Sequence, residues 1–359
     1  MSDKQLYTFG DLISGFDHKD PMSYLRTWDF GQFQTFVAEG GATPKTIDAR
    51  RRQSGHDSEI ADALRRYLEA KRPRLVGIMG GHSVNRDQAA YRLIADLARF
   101  LTRAGFLIVT GGGPGAMEAG HLGAFFATAT DGVYEAAIAE LGRVPKLPNI
   151  SGLLDEDGNV RPGSEQTIKD AHGWLMAALR ATELVKTKPG ESLAIPTWLY
   201  GHEPTVPFAT AYAKYFQNSI REEALITEAR AGIIYSRGGG GTIREIFQDV
   251  EQNYYVRRAA DFTPMIFVDP EKYWQKDATF DEAGVVITFA IKLDDLLSKL
   301  FKVALAPTYR EECLSKVRFT TDFNEIQAVL SAHQSSAQKK LQLMLKGGAA
   351  NLLSARWNR

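Results

Sequence analysis

The sequence predicts an α/β protein, a Rossmann-like doubly wound parallel sheet with helices on both faces. The prediction rests on a repeated order of short apolar strand, glycine-rich turn and amphipathic helix. The turn glycines lie at 80–81, 111–113 and 238–241, each shortly after an apolar run. Ligands bind such sheets beyond the carboxyl ends of the strands, where the strand order reverses. We therefore expect the three glycine-rich turns to line one crevice.

Three regions are predicted along the chain. Residues 1–72 form an aromatic-rich arm and a helix, with the arm packed on the main domain or on another subunit. Residues 73–333 hold the sheet, interrupted at about 130–190 by an insertion that covers the crevice or makes an oligomer contact. Residues 334–359 form a basic, amphipathic helical tail, which is expected to dock on protein and not on nucleic acid.

Hydrophobic periodicity places the elements in order. Apolar runs typical of buried strands lie at 75–79, 106–110, 192–199, 233–235 and 264–269. Apolar residues at helical spacing predict helices over 59–70, 91–101, 134–141, 174–184, 243–250, 296–303 and 323–333. Asp57 or Ser58 is predicted to cap the first of these helices, and Gly105 to close the second.

Composition excludes several classes of protein. The chain has 359 residues, and its 43 Lys and Arg balance its 43 Asp and Glu, so no overall basic field attracts a nucleic-acid polymer. The single cysteine, Cys313, fits a reducing compartment. No segment has the pattern of a signal peptide or the length of a membrane span. We expect a cytoplasmic protein without membrane partners.

The stretch from Gly232 to Tyr255 carries the clearest functional signal. Four glycines, Gly238 to Gly241, separate a buried strand from an amphipathic helix. Such a junction directs several N–H groups and the positive end of the helix dipole at one point, which suits an anion. The Gly-Lys-Ser/Thr of a triphosphate loop is missing, so a monophosphate is favoured. Thr242 and Glu245 fit either ligand contacts or a helix-capping box.

Other chemistries are less well supported by the sequence. Gly111, Gly113 and Ala116 satisfy the dinucleotide pattern G-x-G-x-x-A, and Asp131 follows at a suitable distance, so an NAD(P)-dependent oxidoreductase stays open as an alternative. The histidines lack paired metal-ligand spacing, and no metal is expected. His82, at a glycine-rich strand end, is expected to hydrogen-bond locally. No G-x-S-x-G elbow indicates a serine hydrolase.

Three motifs together resemble the LOG family, phosphoribohydrolases of cytokinin nucleotides and related nucleoside 5′-monophosphates that are often mislabelled lysine decarboxylases. GGGGTIRE, which ends at Glu245, resembles the family signature PGGxGTxxE. GGGPGAMEAG at 111–120 and Arg221, twenty-four residues before Glu245, agree with the same family. GGHS at 80–83 is closer to the bacterial branch of pyrimidine/purine nucleotide 5′-monophosphate nucleosidases. The resemblance covers roughly residues 73–333.

The resemblance implies hydrolysis of an N-glycosidic bond to free base and ribose 5-phosphate, without metal or cofactor, by a homodimer or higher homo-oligomer. Arg221 and Glu245 would be the catalytic pair. The residues implied for the 5′-phosphate are Gly238, Gly239, Gly240, Gly241 and Thr242. Those implied for the nucleotide crevice are Gly80, Gly81, Ser83, Gly111, Gly112 and Gly113. Glu118 is a second candidate carboxylate, although a negative residue at that helix N-terminus is also favourable by itself.

Two positions differ from the family pattern. Arg237 stands where the family has proline, and Glu222 where many members carry lysine. Arg237 would add a phosphate contact or fill the pocket, and Glu222 would weaken the hold of Arg221 on an anion. The alternative function is therefore a nucleotide-binding sensor without catalysis. The base preference is not readable, because residues facing the base are expected in the 130–190 insertion and in a partner subunit.

Overall fold

The computed structural model describes residues 4–199, 205–275, 278–282, 285–289 and 292–333. Two compact units divide these residues. The first runs up to 230 and includes 234–248, and the second holds 231–233 and the described residues from 249 onward. None of the described helices has both the length and the apolar character that a bilayer crossing requires. All of the candidate site residues belong to the first unit.

Seven strands of the described residues form one parallel sheet, which confirms the predicted Rossmann-like fold class. The nine strands of the described residues, seven of them in this sheet, are β1 Leu75–Met79, β2 Leu107–Thr110, β3 Ser192–Ala194, β4 Ala211–Tyr212, β5 Gly232–Tyr235, β6 Met265–Phe267, β7 Ala278–Glu282, β8 Val285–Phe289 and β9 Val317–Phe319. The sheet order is β4-β3-β2-β1-β5-β6-β9, and β7 and β8 form a separate antiparallel hairpin. The order reverses between β1 and β5, so a ligand is expected beyond the carboxyl ends of those strands.

The helices occupy the segments between the strands and at both ends of the described chain. The α-helices are α1 Phe9–Leu12, α2 Trp28–Ala38, α3 Ile47–Lys71, α4 Ala89–Arg103, α5 Ala116–Phe125, α6 Asp131–Gly142, α7 Glu165–Thr182, α8 Asn218–Glu228, α9 Gly240–Tyr254, α10 Leu293–Ala304 and α11 Pro307–Leu314. A further helical segment spans 323–333. The helices predicted at 91–101, 134–141 and 243–250 lie within α4, α6 and α9.

The centre of the sheet is buried on both faces. Every residue of β1 and β2 is buried, as their continuous apolar runs predict. Helix α4 buries its apolar face and packs against α5. The two helices approach closely at Gly123, where an added Cβ would lie 2.0 Å from the carbonyl oxygen of Ala95. Gly105 follows α4 with a φ of 85°, in agreement with its predicted role in ending the helix.

The N-terminal arm belongs to the first unit and packs there around a buried carboxylate. Asp29 is 2% exposed, and it accepts a 2.9 Å hydrogen bond from Nε1 of Trp198. Nζ of Lys214 lies 2.7 Å from the same carboxylate. Backbone hydrogen bonds between Tyr7 and Tyr212 also join the arm to the edge strand β4. Because a buried charge needs such partners, the arm is an integral part of this unit.

The predicted start of the first long helix is wrong. Helix α3 begins at Ile47, and the side chain of Thr46 caps it by accepting a hydrogen bond from the backbone of Ala49. Asp57 lies in the middle of α3 and is 1% exposed. Its carboxylate accepts 2.9 Å hydrogen bonds from the backbone N–H groups of Phe216 and Gln217, just before α8. Asp57 therefore satisfies the start of a distant helix, which sequence spacing cannot show.

Smaller differences concern short or partly predicted elements. The predicted strand over 192–199 is limited to β3, and α7 begins earlier than the helix predicted at 174–184. The sequence patterns did not predict β4, β9 or the β7–β8 hairpin. The edge strand β4 is two residues long, which is too short to produce a period. The predicted tail over 334–359 lies outside the described residues.

Candidate active site

The three glycine-rich turns meet at the carboxyl ends of β1, β2 and β5. The N–H of Gly81 donates a 3.0 Å hydrogen bond to the carbonyl oxygen of Arg237, and the N–H of Ala116 donates a 3.1 Å hydrogen bond to that of Gly81. An added Cβ at Gly80 would lie 2.0 Å from Oγ of Ser236. The small residues therefore allow close contacts between the turns, which meet at the point where strand order reverses.

The turn after β5 presents open backbone at the start of α9. The N–H of Ile243 donates a 3.0 Å hydrogen bond to the carbonyl oxygen of Gly239 at the start of this helix. The N–H groups of the first helical residues, Gly240 and Gly241, point away from the helix body and have no partner within the helix. An added Cβ at any position from Gly239 to Gly241 would meet no described heavy atom within 4 Å. The exposed N–H groups and the helix dipole make this turn suitable for an anion.

Two predicted residues flank that turn, Arg237 before the glycines and Thr242 after them. Helix α9 begins at Gly240, so Thr242 lies inside the first turn, and the capping-box interpretation of Thr242 and Glu245 is wrong. Thr242 is buried, and its Oγ1 would lie 2.1 Å from an added Cβ at Gly238. Arg237 is exposed and does not fill the space above the glycines.

Arg221 and Glu245 lie side by side, as the candidate catalytic pair requires. Nη1 of Arg221, on α8, is 3.5 Å from Oε1 of Glu245, on the second turn of α9. Their side chains are 8% and 12% exposed, respectively. The pair is therefore an ionic contact that is largely shielded from water. Because 3.5 Å is longer than a usual hydrogen bond, both groups keep the capacity to hydrogen-bond a ligand.

The turn after β2 provides space for the arginine. An added Cβ at Gly111 would lie 2.8 Å from Nη2 of Arg221, so the guanidinium rests directly against this glycine. Nε of Arg221 is buried and has no hydrogen-bond partner among the described residues. A buried donor without a partner costs free energy, and such groups are most easily explained by a ligand or an ordered water.

A second ion pair runs beside the first and crosses between the same two helices. Nε of Arg244 lies 2.8 Å from Oε2 of Glu222, and Nδ2 of Asn218 donates a 2.7 Å hydrogen bond to Oε1. Glu222 is 1% exposed. Consecutive Arg and Glu residues on α8 thus face consecutive Arg and Glu residues on α9. The negative charge of Glu222 is balanced by Arg244, which leaves Arg221 paired with Glu245.

The surroundings of Glu245 bring the pKa of its carboxyl group close to neutral pH. Burial raises the pKa of Glu245 to about 7, with the nearby Arg221 opposing the increase. Two weaker effects follow: the negative charge of Glu222 raises the pKa of Glu245 further, and the positive charge of Arg244 lowers it by a smaller amount. A carboxyl group that titrates near neutral pH in a crevice is typical of catalytic sites.

Glu118, the second candidate carboxylate, is used in the interior of the fold. It is completely buried, and the guanidinium of Arg86 donates two hydrogen bonds to its carboxylate, of 2.9 and 2.6 Å. The hydroxyl of Tyr91 donates a third at 3.1 Å. The guanidinium of Arg86 also lies 3.7 Å from the ring centre of Trp174. These contacts occupy the carboxylate, so the structure does not bring Glu118 together with Arg221 and Glu245.

The remaining predicted crevice residues have separate local roles. Gly112 has a φ of 74°, and an added Cβ there would lie 2.9 Å from Cβ of Ala194. Gly113 is buried in the same turn, whereas His82 and Ser83 are exposed at the end of β1. Arg244 and Asn218 were not among the residues predicted for the site. Asn218 and Glu222 are four residues apart on one helix face, a spacing that could have indicated their contact.

In comparisons with known proteins, no protein-family model and no curated protein sequence matched this chain. The fold and the site define a class: a Rossmann-like α/β protein with a glycine turn beside a buried arginine–glutamate pair. The turn formed by residues 238–241 is called the anion turn below, after the ligand that its N–H groups suit. Within the described ranges, no three His, Cys, Asp or Glu side chains are grouped as a metal site would require.

Proposed function

We propose that this chain is a LOG-family phosphoribohydrolase, which cleaves the N-glycosidic bond of nucleoside 5′-monophosphates. The observation that carries the proposal is the position of the Arg221–Glu245 pair beside the anion turn and against Gly111. A 5′-phosphate on the N–H groups at the start of α9 would place its sugar over the glycines of the crevice. Glu245 belongs to the same helix, so the phosphate site and the carboxylate are held in a fixed relation.

The reaction needs a carboxylate beside the sugar. The bond between C1′ and the base nitrogen breaks, the electron pair leaves with the base, and the base takes up a proton. The oxygen of water bonds to C1′ and loses a proton, which gives ribose 5-phosphate. C1′ becomes oxocarbenium-like during this change, and ionised Glu245 would stabilise that charge or orient the water. Arg221 would hold sugar or phosphate oxygens through its fixed planar donors.

Two alternatives have weaker support from the geometry. The sensor hypothesis rests partly on the negative charge of Glu222, yet Arg244 balances that charge and Arg221 keeps its partner. The oxidoreductase hypothesis needs Asp131 for a ribose hydroxyl. Nη1 of Arg99 lies 2.8 Å from the Asp131 carboxylate, which is thus engaged on the surface. Neither alternative explains the neighbouring pair and anion turn as well as the hydrolase does.

The direct test is release of free base. The wild-type chain would be incubated with AMP, GMP, CMP, UMP and IMP in the presence of a chelator, and base and ribose 5-phosphate would be separated by chromatography. We expect both products in equal amounts from at least one nucleotide, and much slower cleavage of the matching nucleoside. Tight nucleotide binding without products would support the sensor. NAD(H) binding with no response to monophosphates would support the oxidoreductase.

The anion turn can be tested with two substitutions whose new side chains have nearly the same size and shape as each other. Gly240 faces open space, so both Gly240→Asp and Gly240→Asn should fold. The aspartate places a negative charge where the phosphate would bind, and we expect the KM for the nucleotide to rise by about tenfold or more. Gly240→Asn adds the same volume without charge and serves as the control. Equal effects of the two variants would argue against an anion at this turn.

The pH dependence of the reaction should follow Glu245. The pKa of this carboxyl is raised to about 7, and the proposed role requires its ionised form. We therefore expect kcat to be low at pH 6 and to rise through about pH 7. Glu222→Gln removes a negative charge that raises this pKa, so the ascending limb should move to lower pH and activity at pH 6 should increase several-fold.

The comparison of wild type with Glu222→Gln also controls for the substrate. The phosphate of the nucleotide titrates near pH 6, but it does so equally with both enzymes. The charged groups that act on Glu245 are Arg221 and Glu222 from α8 and Arg244 from its own helix. Arg244→Gln should shift the limb in the opposite direction. An activity that falls between pH 6 and pH 8 would show that Glu245 acts in its protonated form.

We further propose that the chain works in the cytoplasm as a homodimer or higher homo-oligomer. Three apolar side chains on α8 and α9 are exposed to water: Ile220 by 42%, Ile243 by 43% and Phe247 by 41%. Such residues are favoured where a second subunit covers them. Analytical ultracentrifugation of the wild type and of Phe247→Glu would test this, with a lower mass expected for the variant.

A further inference from the structure

A cavity next to the anion turn has no assigned role in the reaction described above. Its volume is about 280 Å³, and it lies within the first unit. The turn after β1 forms one wall, and the segment 145–151 of the insertion forms the other. Trp174 from α7 and the Arg86–Glu118 pair also line it. The space is adequate for a flat heterocycle, since one buried water occupies only about 30 Å³.

The cavity and the glycine-rich crevice share the turn after β1. Gly81 donates to Arg237 on the side of the anion turn, and an added Cβ at Gly81 would lie 3.5 Å from Cα of Gly238. His82, the next residue, already lines the cavity. Gly115 lines it as well, and an added Cβ at Gly115 would lie 2.7 Å from the carbonyl oxygen of His82. The turn after β1 therefore contacts the anion turn at Gly81 and lines the cavity at His82.

The lining favours a neutral, planar and polar group. The guanidinium of Arg86 lies flat on Trp174 and is already neutralised by Glu118. The other polar side chains come mainly from Ser83, Asn85, Asn149 and Ser151, which offer both donors and acceptors. Among the lining lysines and arginines, Lys146 is the only one outside the buried pair. This chemistry suits the edge of a nucleobase better than a second phosphate.

Asn149 has a defined orientation in this wall. Its Oδ1 accepts hydrogen bonds from the backbone N–H of Ser151 at 3.1 Å and from Oγ of the same residue at 2.6 Å. The side-chain carbonyl is therefore committed to the turn, and the NH₂ group is the part that can donate to a ligand. A donor held in one place can distinguish bases by the acceptors on their edges.

We propose that this cavity receives the base of the nucleotide, and that Asn149 in the segment 145–151 is a specificity-determining residue. The proposal rests on the proposed function for the identity of the ligand. It assigns the phosphate to the start of α9, the sugar to Gly81 and the Arg221–Glu245 pair, and the base to the insertion. The segment that interrupts the regular alternation of strands and helices is then the part that chooses the substrate.

Binding measurements can separate the base from the rest of the nucleotide. Ribose 5-phosphate has the same phosphate and sugar but no base, so the cavity should not affect it. In a Glu245→Gln chain, which keeps nucleotides intact, Asn149→Trp should fill the cavity and weaken binding of the best nucleotide by about tenfold or more. Its affinity for ribose 5-phosphate should change less than twofold by calorimetry. Glu156→Trp, exposed in the same insertion, is the matched control.

A second variant tests the donor itself. Asn149→Asp keeps an oxygen for the turn at Ser151 but replaces the NH₂ donor with an acceptor. We expect the order of affinities among AMP, GMP, CMP, UMP and IMP to change, with at least one ratio altered by about tenfold, and ribose 5-phosphate to bind as before.

The outcomes distinguish the two proposals. Parallel loss of nucleotide and ribose 5-phosphate binding, or no loss of either, would overturn the assignment of the base to this cavity. Selective loss of nucleotide binding in a chain whose wild type releases no base would support the cavity and overturn the hydrolase. A wild type that binds none of the five nucleotides would overturn both.

Discussion

Glu245→Gln should lower kcat for nucleotide hydrolysis by about a thousandfold while KM changes little. The amide occupies nearly the same space as the carboxyl group, but it carries no charge to stabilise the developing positive charge at C1′. The Arg221–Glu245 contact is 3.5 Å, too long for a strong hydrogen bond, so the substitution should disturb the two helices only slightly. Steady-state release of free base gives kcat, and calorimetry gives the affinity for the intact nucleotide.

Glu223→Gln is the control, because Glu223 lies exposed on α8 close to the site in sequence. It should leave both kcat and KM unchanged. The proposed role would be wrong if Glu245→Gln retained more than a tenth of the wild-type kcat with an unchanged pH profile. The pH profile adds an independent check, since the rise through about pH 7 should disappear together with the titrating group.

The fold was predictable because its strongest signals are local. The glycines at 80–81, 111–113 and 238–241 follow apolar runs, and the pattern of α4 is amphipathic over its full length. The start of α3 could not be found in this way. Asp57 looks like a cap from its neighbours, but its partners, the backbone N–H groups of Phe216 and Gln217, are 159 and 160 residues away. Long-range capping has no period for a sequence pattern to detect.

The sequence predicted which two charged residues of the candidate site lie together, but not how the charge next to them is balanced. Motif spacing identified Arg221 and Glu245, and the structure places them together. The effect of Glu222 was not predictable, because its charge could be judged only against Arg221, its neighbour in sequence. Packing of α8 on α9 brings Arg244 to it instead. A residue that differs from a family pattern can thus be compensated by a second residue on another helix, and only side-chain geometry shows the compensation.

Arg221 should matter for both charge and shape. Arg221→Met removes the donors and is expected to lower kcat/KM by about a hundredfold to a thousandfold, whereas Arg221→Lys keeps the charge, loses the planar fork and should recover only part of that loss. The methionine variant also removes the positive charge that lowers the pKa of Glu245. Its remaining activity should therefore rise at a higher pH than that of the wild type, which base release across pH 6 to 9 would show.

Gly111→Ala tests the same arginine without changing its charge. The new Cβ would lie 2.8 Å from Nη2 of Arg221 and 2.8 Å from Sδ of Met117, both at mobile parts of their side chains, so the fold should tolerate it. The guanidinium must shift, and a displaced catalytic group loses rate steeply with distance. We expect kcat to fall by about tenfold at nearly unchanged melting temperature. If Gly111→Ala and Arg221→Met both kept wild-type kcat, the arginine would have no part in catalysis, and the anion turn would be left to bind nucleotide without cleaving it.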